Sequence, residues 1–115
     1  EVDVVFADAL GSPAADRAEA LALADALGPH SRRVPVTAPK TGIGRAYCGG
    51  PVLDAAAAVL AMENGLVPPT PNVFEVCHDL DVVTERARPA ELRTALVLSR
   101  GLMGSNAALV LRRPA

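Results

Sequence analysis

The sequence of 115 residues has few aromatic side chains, a single lysine and few cysteines. It contains no Trp, one Tyr and two Phe, and Lys40 stands alone beside ten arginines. The formal net charge is −2, so the chain lacks the basic excess of most nucleic-acid-binding proteins, and we expect no nucleic-acid partner. No run of about 18 apolar residues is present, and residues 1–3 lack the basic start of a signal peptide. We therefore expect no membrane association.

The two cysteines, Cys48 and Cys77, are too few for a disulfide framework and have no CxxC spacing. No zinc-ligand spacing surrounds them, so we predict no metal ligand. The glycine cluster Gly42, Gly44, Gly49 and Gly50 lacks the spacing of a phosphate-binding loop, so we predict no bound cofactor. The cytoplasm, where thiols stay reduced, is the expected compartment. Cys48 lies in a glycine-rich segment with no histidine close in sequence, which favours a small buried residue over a nucleophile.

Half of the residues are hydrophobic, which is too apolar a composition for a disordered chain. The pattern predicts an α/β fold with the order β-α-β-α-loop-β-β. Ser12 is a good N-cap with Pro13 behind it, and Gly28 ends the first helix. Strands are predicted over residues 2–7, 33–37, 94–99 and 107–112, helices over 13–27 and 52–64, and a polar connector over 73–93.

The second predicted helix is apolar on all sides, because Asp54 and Glu63 are its only charged residues. Such a helix is normally buried on every face, yet about four strands and one other helix are too few to cover it. We therefore expect these residues to be the tail of a longer polypeptide, or to be covered by another chain. The isolated chain should then expose a large apolar patch.

Three segments together carry a family resemblance: FADALGSPAADRAE (6–19), residues 34–72, and LVLSRGLMGSNAALVLR (96–112). Their order and spacing resemble the C-terminal part of the β-ketoacyl synthases, which have the thiolase fold. GLVPPTPN (65–72) is similar to the family's VPPT-N signature. The resemblance implies a C-terminal β-ketoacyl-synthase-like domain over residues 1–115, with helices layered on a mixed sheet and the N-terminal half of the family chain absent.

The resemblance also shows where this sequence departs from active members of the family. Active members have a catalytic histidine where Asp8 stands, and a second one, in a Lys-Ser-x-x-Gly-His motif, where Arg45 stands. Their Gly-Phe-Gly-Gly-x-Asn motif reads Gly-Leu102-Met103-Gly-Ser-Asn106 here, so the gating phenylalanine is Leu102 and a glycine has become Met103. No catalytic residue is therefore expected to be intact.

The missing histidines matter because condensation builds an enolate on a malonyl thioester, which two neutral imidazoles stabilise. The carboxylate of Asp8 would repel an enolate, and the permanently protonated Arg45 cannot act as a general base. The chain thus resembles the ketosynthase β subunit, or chain length factor, of type II aromatic polyketide synthases, and the run from Pro39 to Gly50 is similar to that subgroup.

The resemblance implies a non-condensing subunit that shapes the polyketide tunnel and supports the condensing subunit in antibiotic biosynthesis. Its implied partners are an active ketosynthase α subunit in a heterodimer, an acyl carrier protein and the growing polyketide chain. Two alternatives remain at this stage. One is a ketosynthase-like acyltransferase or decarboxylating initiator with an altered active site, and the other is a non-catalytic interaction module.

Several residues are expected to have structural roles around the degenerate site. Asp8 and Arg45 could form an ion pair or could face solvent separately. Lys40 is expected to form a buried salt bridge with Asp54, because a buried lysine without a partner would be costly. The other residues assigned to this group are Asp16, Glu19, Leu102, Met103 and Asn106.

Overall fold

The structure, a computed structural model, describes all residues from 1 to 115 and contains two sheets and two α-helices. The main sheet has five strands in the order β4-β2-β1-β6-β7, and all of its strand pairs are parallel except the β6–β7 pair. A second sheet joins β3 and β5. The strands are β1 (Val4–Phe6), β2 (Pro35–Thr37), β3 (Leu66–Val67), β4 (Asp81–Val82), β5 (Arg88–Pro89), β6 (Thr94–Arg100) and β7 (Asn106–Arg112).

The two helices are α1 (Pro13–Leu27) and α2 (Gly50–Asn64). Helix α1 begins with a proline at its first turn, as predicted, but the Ser12 side chain makes no capping hydrogen bond. Helix α2 begins two residues earlier than predicted and ends at Gly65, whose φ of 63° is the left-handed conformation that glycine adopts without strain. The α/β class predicted from the sequence is thus confirmed.

Alternation along β1 divides the core into two layers, because successive side chains of a strand point to opposite faces of the sheet. Val4 and Phe6 face α2, whereas Val5 and Ala7 face α1. The layer on the α2 side also contains Ala58, Ala61, Met62, Val67, Val83, Leu92, Ala95 and Val97. The layer on the α1 side also contains Leu23, Val34, Val36 and Leu96.

The connector 73–93 contains two short strands that the sequence pattern did not predict. Strand β4 pairs with β2 at the edge of the main sheet, and β5 pairs with β3 in the second sheet. Each spans only two residues, which is too short for a periodic pattern to be visible in the sequence. The predicted hairpin near the C-terminus is present as the antiparallel pair of β6 and β7.

Helix α2 and strand β7 leave apolar side chains uncovered, as the composition of the helix indicated. The helix covers the sheet with Ala58, Ala61 and Met62, while its other faces remain exposed. Strand β7 is one of the two edge strands of the main sheet and is also largely exposed. The exposed apolar side chains of these two elements include Val52, Leu53, Val59, Leu60, Leu109 and Val110. No helix of the structure has the length and apolar character needed to cross a membrane.

Candidate functional site

Asp8 lies just beyond the carboxyl end of β1 and is only 3% exposed. Its Oδ2 lies 3.3 Å from Nη1 of Arg45, and its Oδ1 accepts a hydrogen bond of 3.0 Å from the backbone N–H of Arg100. Of the two arrangements open from the sequence, the structure therefore contains the ion pair.

Arg45 comes from the glycine-rich segment between β2 and α2, and about a third of its side chain is exposed. While Nη1 contacts Asp8, Nη2 donates a hydrogen bond of 2.5 Å to the backbone carbonyl of Arg100. The side chain of Arg100 points elsewhere and donates to the carbonyl of Ala15. Sequence reasoning missed Arg100, because it contributes to the site through its backbone, and no sequence pattern reports such a contact.

Two acidic residues of α1 hold the loop that carries Asp8. Glu19 accepts hydrogen bonds from the backbone N–H groups of Asp8 (2.7 Å) and Ala9 (3.0 Å), and Asp16 accepts one from Gly11 (3.2 Å). Ala9 needs this support because its φ of 46° lies in the left-handed region, which costs a non-glycine residue about 1–2 kcal/mol. The carboxylates of Asp16 and Glu19 therefore hold the backbone of the loop and so fix the position of Asp8.

Lys40 and Asp54 form a second ion pair, with 2.5 Å between Nζ and Oδ2. The Asp54 side chain is 2% exposed and that of Lys40 is 10% exposed. Burial raises the pKa of the Asp54 carboxyl above its ordinary value of 3.8, and the hydrogen bond and positive charge of Lys40 oppose that rise. The negative charge of Asp8 also raises the pKa of Asp54. Together the two ion pairs place two carboxylates and two cations around the end of the sheet, with no net charge.

The connection between β6 and β7, residues 101–105, forms one wall of an open cavity of about 390 Å³. Leu102 and Met103 are both exposed, and Met103 has a left-handed φ of 65°. Asn106, the first residue of β7, donates from Nδ2 to the carbonyl of Gly104 at 3.1 Å. The polar side chains around the cavity are Arg45, Tyr47, Cys48, Ser99, Arg100, Ser105 and Asn106.

The expectation for Cys48 is wrong, because its side chain is exposed. All residues from 42 to 49 are exposed, so the glycine-rich segment lies on the surface and does not bury the thiol. Cys77 is half-buried and is also a free thiol. No three side chains of His, Cys, Asp or Glu lie close enough together to hold a metal ion.

The sequence profile described as "Beta-ketoacyl synthase, C-terminal domain" matches residues 1–74, well over half of the chain. This chain belongs to the β-ketoacyl synthase family. The resemblance stated from the three sequence segments is therefore confirmed.

The two relatives named below match 100% and 98% of this chain, respectively. It is 83% identical over 115 residues to a protein of Streptomyces coelicolor (strain ATCC BAA-471 / A3(2) / M145) that bears the name "Putative polyketide beta-ketoacyl synthase 2", covering 27% of that protein. It is 52% identical over 115 residues to the "Tetracenomycin polyketide synthase ketoacyl synthase beta subunit" of Streptomyces glaucescens, covering 28% of it. The chain thus spans just over a quarter of the length of these curated relatives.

Solved structures share the fold across the same span. The structure of "the ishigamide ketosynthase/chain length factor" superposes with a TM-score of 0.91 at 33% identity, over 100% of this chain and 28% of that one. A second match has a TM-score of 0.90 at 26% identity, over 98% of this chain and 28% of that one. It is described as a type II PKS acyl-carrier protein in complex with its ketosynthase bound to the hexaketide.

Proposed function

We propose that these residues form the C-terminal β-ketoacyl-synthase-like domain of a chain length factor, the non-condensing β subunit of a type II aromatic polyketide synthase. The observation that carries the proposal is the ion pair between Asp8 and Arg45. By resemblance, these two residues occupy the positions at which active members of the family have their catalytic histidines.

The ion pair is chemically unable to replace two neutral imidazoles. Decarboxylation of a malonyl thioester leaves an enolate, and its negative charge must be met by hydrogen-bond donors. The Asp8 carboxylate contributes only acceptors, and both of its oxygens already bind Arg45 and Arg100. The Arg45 guanidinium stays protonated and cannot take up a proton as a general base. A site with this chemistry would support a structural role beside a condensing subunit.

The comparisons support the same assignment and its partners. Both relatives named above are polyketide ketoacyl synthases, and one is called a β subunit. The two solved structures concern a ketosynthase/chain length factor and a ketosynthase with an acyl-carrier protein. On this basis the proposed partners are a condensing ketosynthase α subunit, an acyl carrier protein and the growing polyketide chain. The compartment we propose is the cytoplasm, where the free thiols of Cys48 and Cys77 stay reduced.

The uncovered faces of α2 and β7 support the view that the domain is part of a larger subunit. Val52, Leu60 and Val110 are among the exposed apolar side chains of these elements. A surface of this kind is unfavourable in water and is normally covered by protein. In this proposal the remainder of the subunit, absent from these 115 residues, packs against it.

The test is condensation by the intact subunit, purified alone and together with a condensing ketosynthase, with malonyl acyl carrier protein as the substrate. We expect no carbon–carbon bond formation by the subunit alone, and polyketides of a defined length from the pair. The condensing partner alone is the matched control for its own activity. Condensation by the unmodified subunit alone would overturn the proposal.

The same experiment separates the two alternatives stated from the sequence. Release of carbon dioxide from the malonyl thioester by the subunit alone would instead indicate a decarboxylating initiator. If the subunit does not change the length or amount of the partner's product, an interaction module is the better description.

A further inference from the structure

The Asp8–Arg45 ion pair binds both the backbone N–H and the backbone carbonyl of Arg100. Its N–H donates to Oδ1 of Asp8 at 3.0 Å, and its carbonyl accepts from Nη2 of Arg45 at 2.5 Å. The two side chains are joined to each other through Asp8 Oδ2 and Arg45 Nη1 at 3.3 Å. These contacts close a ring of three residues from three distant segments, which we name the Arg100 clamp.

The clamp lies at the point where the β6–β7 connection begins. Arg100 is the last residue of β6, and the connection itself makes only internal hydrogen bonds. Gly101 N–H donates to the carbonyl of Ser105, Ser105 Oγ donates to the carbonyl of Leu102, and Asn106 donates to Gly104. No hydrogen bond joins residues 101–105 to α1, α2 or the glycine-rich segment. The connection therefore depends on Arg100 for its attachment on the β6 side.

We infer that Asp8 and Arg45 act as a positioning pair that fixes the β6–β7 connection and thereby the wall of the adjoining cavity of about 390 Å³. The pair is suited to this task because Asp8 is buried and its backbone N–H donates a hydrogen bond to Glu19. Its carboxylate is thus a fixed anchor on the core, and Arg45 extends from that anchor to the carbonyl. The inference concerns the geometry of the site and stands independently of the proposed function.

The chemistry of the clamp requires a guanidinium group. A planar guanidinium can donate to a carboxylate and to a carbonyl at the same time through its two terminal nitrogens. A lysine ammonium is a point charge that can neutralise Asp8 but does not supply the rigid fork needed to bridge both acceptors. Arg45→Lys therefore distinguishes a clamp from simple charge balance.

The test is amide hydrogen exchange of the intact protein, measured by mass spectrometry, for Arg45→Lys, Arg45→Ala and Asp8→Asn. We expect exchange at Arg100 and in the β6–β7 connection to become about tenfold faster in each variant, since each loses a charge-assisted hydrogen bond. Exchange in β1 should not change. Arg86→Ala is the matched control, because Arg86 is an exposed arginine without a hydrogen bond or ion pair.

Asp8→Asn combined with Arg45→Gln provides a second route, because it removes both charges and leaves no buried charge without a partner. It should also accelerate exchange at Arg100 while keeping the fold, as judged by unchanged exchange in the core strands. The inference is overturned if Arg45→Lys exchanges like the unmodified protein, which would indicate charge balance only. It is equally overturned if the double variant leaves exchange at Arg100 unchanged.

Discussion

Lys40 and Asp54 meet in the protein interior, where 2.5 Å separate Nζ from Oδ2. The two residues lie on different elements, since Lys40 is in the glycine-rich segment and Asp54 is in the first turns of α2. Each charge is removed from water on folding, so each depends on the other for compensation. The pair therefore ties the segment that carries Arg45 to the helix.

Removing either Lys40 or Asp54 alone should lower the free energy of unfolding much more than replacing both with apolar residues. We expect Lys40→Met to lower the free energy of unfolding by about 3–5 kcal/mol, because it leaves a buried carboxylate unpaired. Lys40→Met combined with Asp54→Leu should recover most of that loss. Urea unfolding of the intact protein measures both. Arg93→Met is the control, since its ion pair with Glu91 is exposed and should contribute less than about 1 kcal/mol.

The raised pKa of Asp54 predicts a specific dependence of stability on pH. A carboxyl with a higher pKa in the folded protein binds more protons there than in the unfolded chain, so the free energy of unfolding falls as the pH rises. The fall begins near the ordinary value of 3.8 and ends at the raised pKa of the folded state. In Lys40→Met the pKa should rise further, because the two effects that lower it are lost.

The measurement for this prediction is urea unfolding at several values between about pH 4 and pH 8. The decline in stability should extend to higher pH in Lys40→Met than in the unmodified protein. Adding Asp54→Asn in that background should abolish the additional decline. An identical pH profile for Lys40→Met and the unmodified protein would contradict the prediction.

Among the acidic residues of α1, substitution of Glu19 should lower the free energy of unfolding most. We expect Glu19→Ala to lower the free energy of unfolding by about 2–4 kcal/mol, because two backbone N–H groups lose a charged acceptor. Asp25→Ala is the matched control on the same helix, since Asp25 is exposed and makes no hydrogen bond, and its effect should stay within about 0.5 kcal/mol. Equal effects of the two substitutions would refute this role of Glu19.

Replacement of Met103 by glycine should stabilise the folded protein. Its φ of 65° costs a non-glycine residue about 1–2 kcal/mol, and its side chain is fully exposed, so no burial is lost on truncation. After the entropy cost of glycine, we expect Met103→Gly to raise the free energy of unfolding by roughly 0.5–1 kcal/mol. Leu102→Gly, at a neighbour without a positive φ, should lower it by a similar amount. Thermal unfolding of the three proteins provides the comparison.

The apolar face of α2 predicts the behaviour of the 115-residue chain when it is produced alone. We expect it to bind the dye ANS more strongly per molecule than the intact subunit does, because Val52 and Leu60 are exposed. Val52→Glu with Leu60→Glu should reduce the dye binding of the isolated chain. Leu21→Glu should change it much less, because Leu21 is similarly exposed but lies on α1, outside the apolar face of α2. Weak dye binding by the unmodified isolated chain would contradict the expectation.

Elements with a strong local signal were predictable from the sequence. Pro13 marks the start of α1, because the N–H that proline lacks would have no partner in the first turn. Gly28 and Gly65 mark the ends of α1 and α2, because both have a positive φ that few other residues adopt. By contrast, Ser12 has the right type and position for a cap, but its side chain makes no hydrogen bond to the helix. The two-residue strands β4 and β5 depend on partners distant in the sequence, so no local pattern indicates them.

The candidate site was predictable only in part, because its residues come from segments that are distant in the sequence. The carboxylates of Asp16 and Glu19 were expected near α1, but the loop N–H groups that they bind are visible only in the structure. The ion pair of Asp8 and Arg45 remained open, because the approach of segments 37 positions apart is set by the whole sheet. No sequence pattern indicated that Cys48 is exposed, because the burial of a residue in a glycine-rich segment depends on which parts of the chain pack against it.

The position of β1 in the sheet has a consequence during synthesis of the protein. Val4 pairs with Ala95, about 90 residues later, so the ribosome completes β1 long before it makes β6. At about 5–20 residues per second, this interval is roughly 5–20 s. During that time Val4, Val5 and Phe6, which are fully buried in the folded protein, have no partner strand on one side. Exposed apolar strand segments are prone to aggregate, and the sheet around β1 can be completed only after β6 has been made.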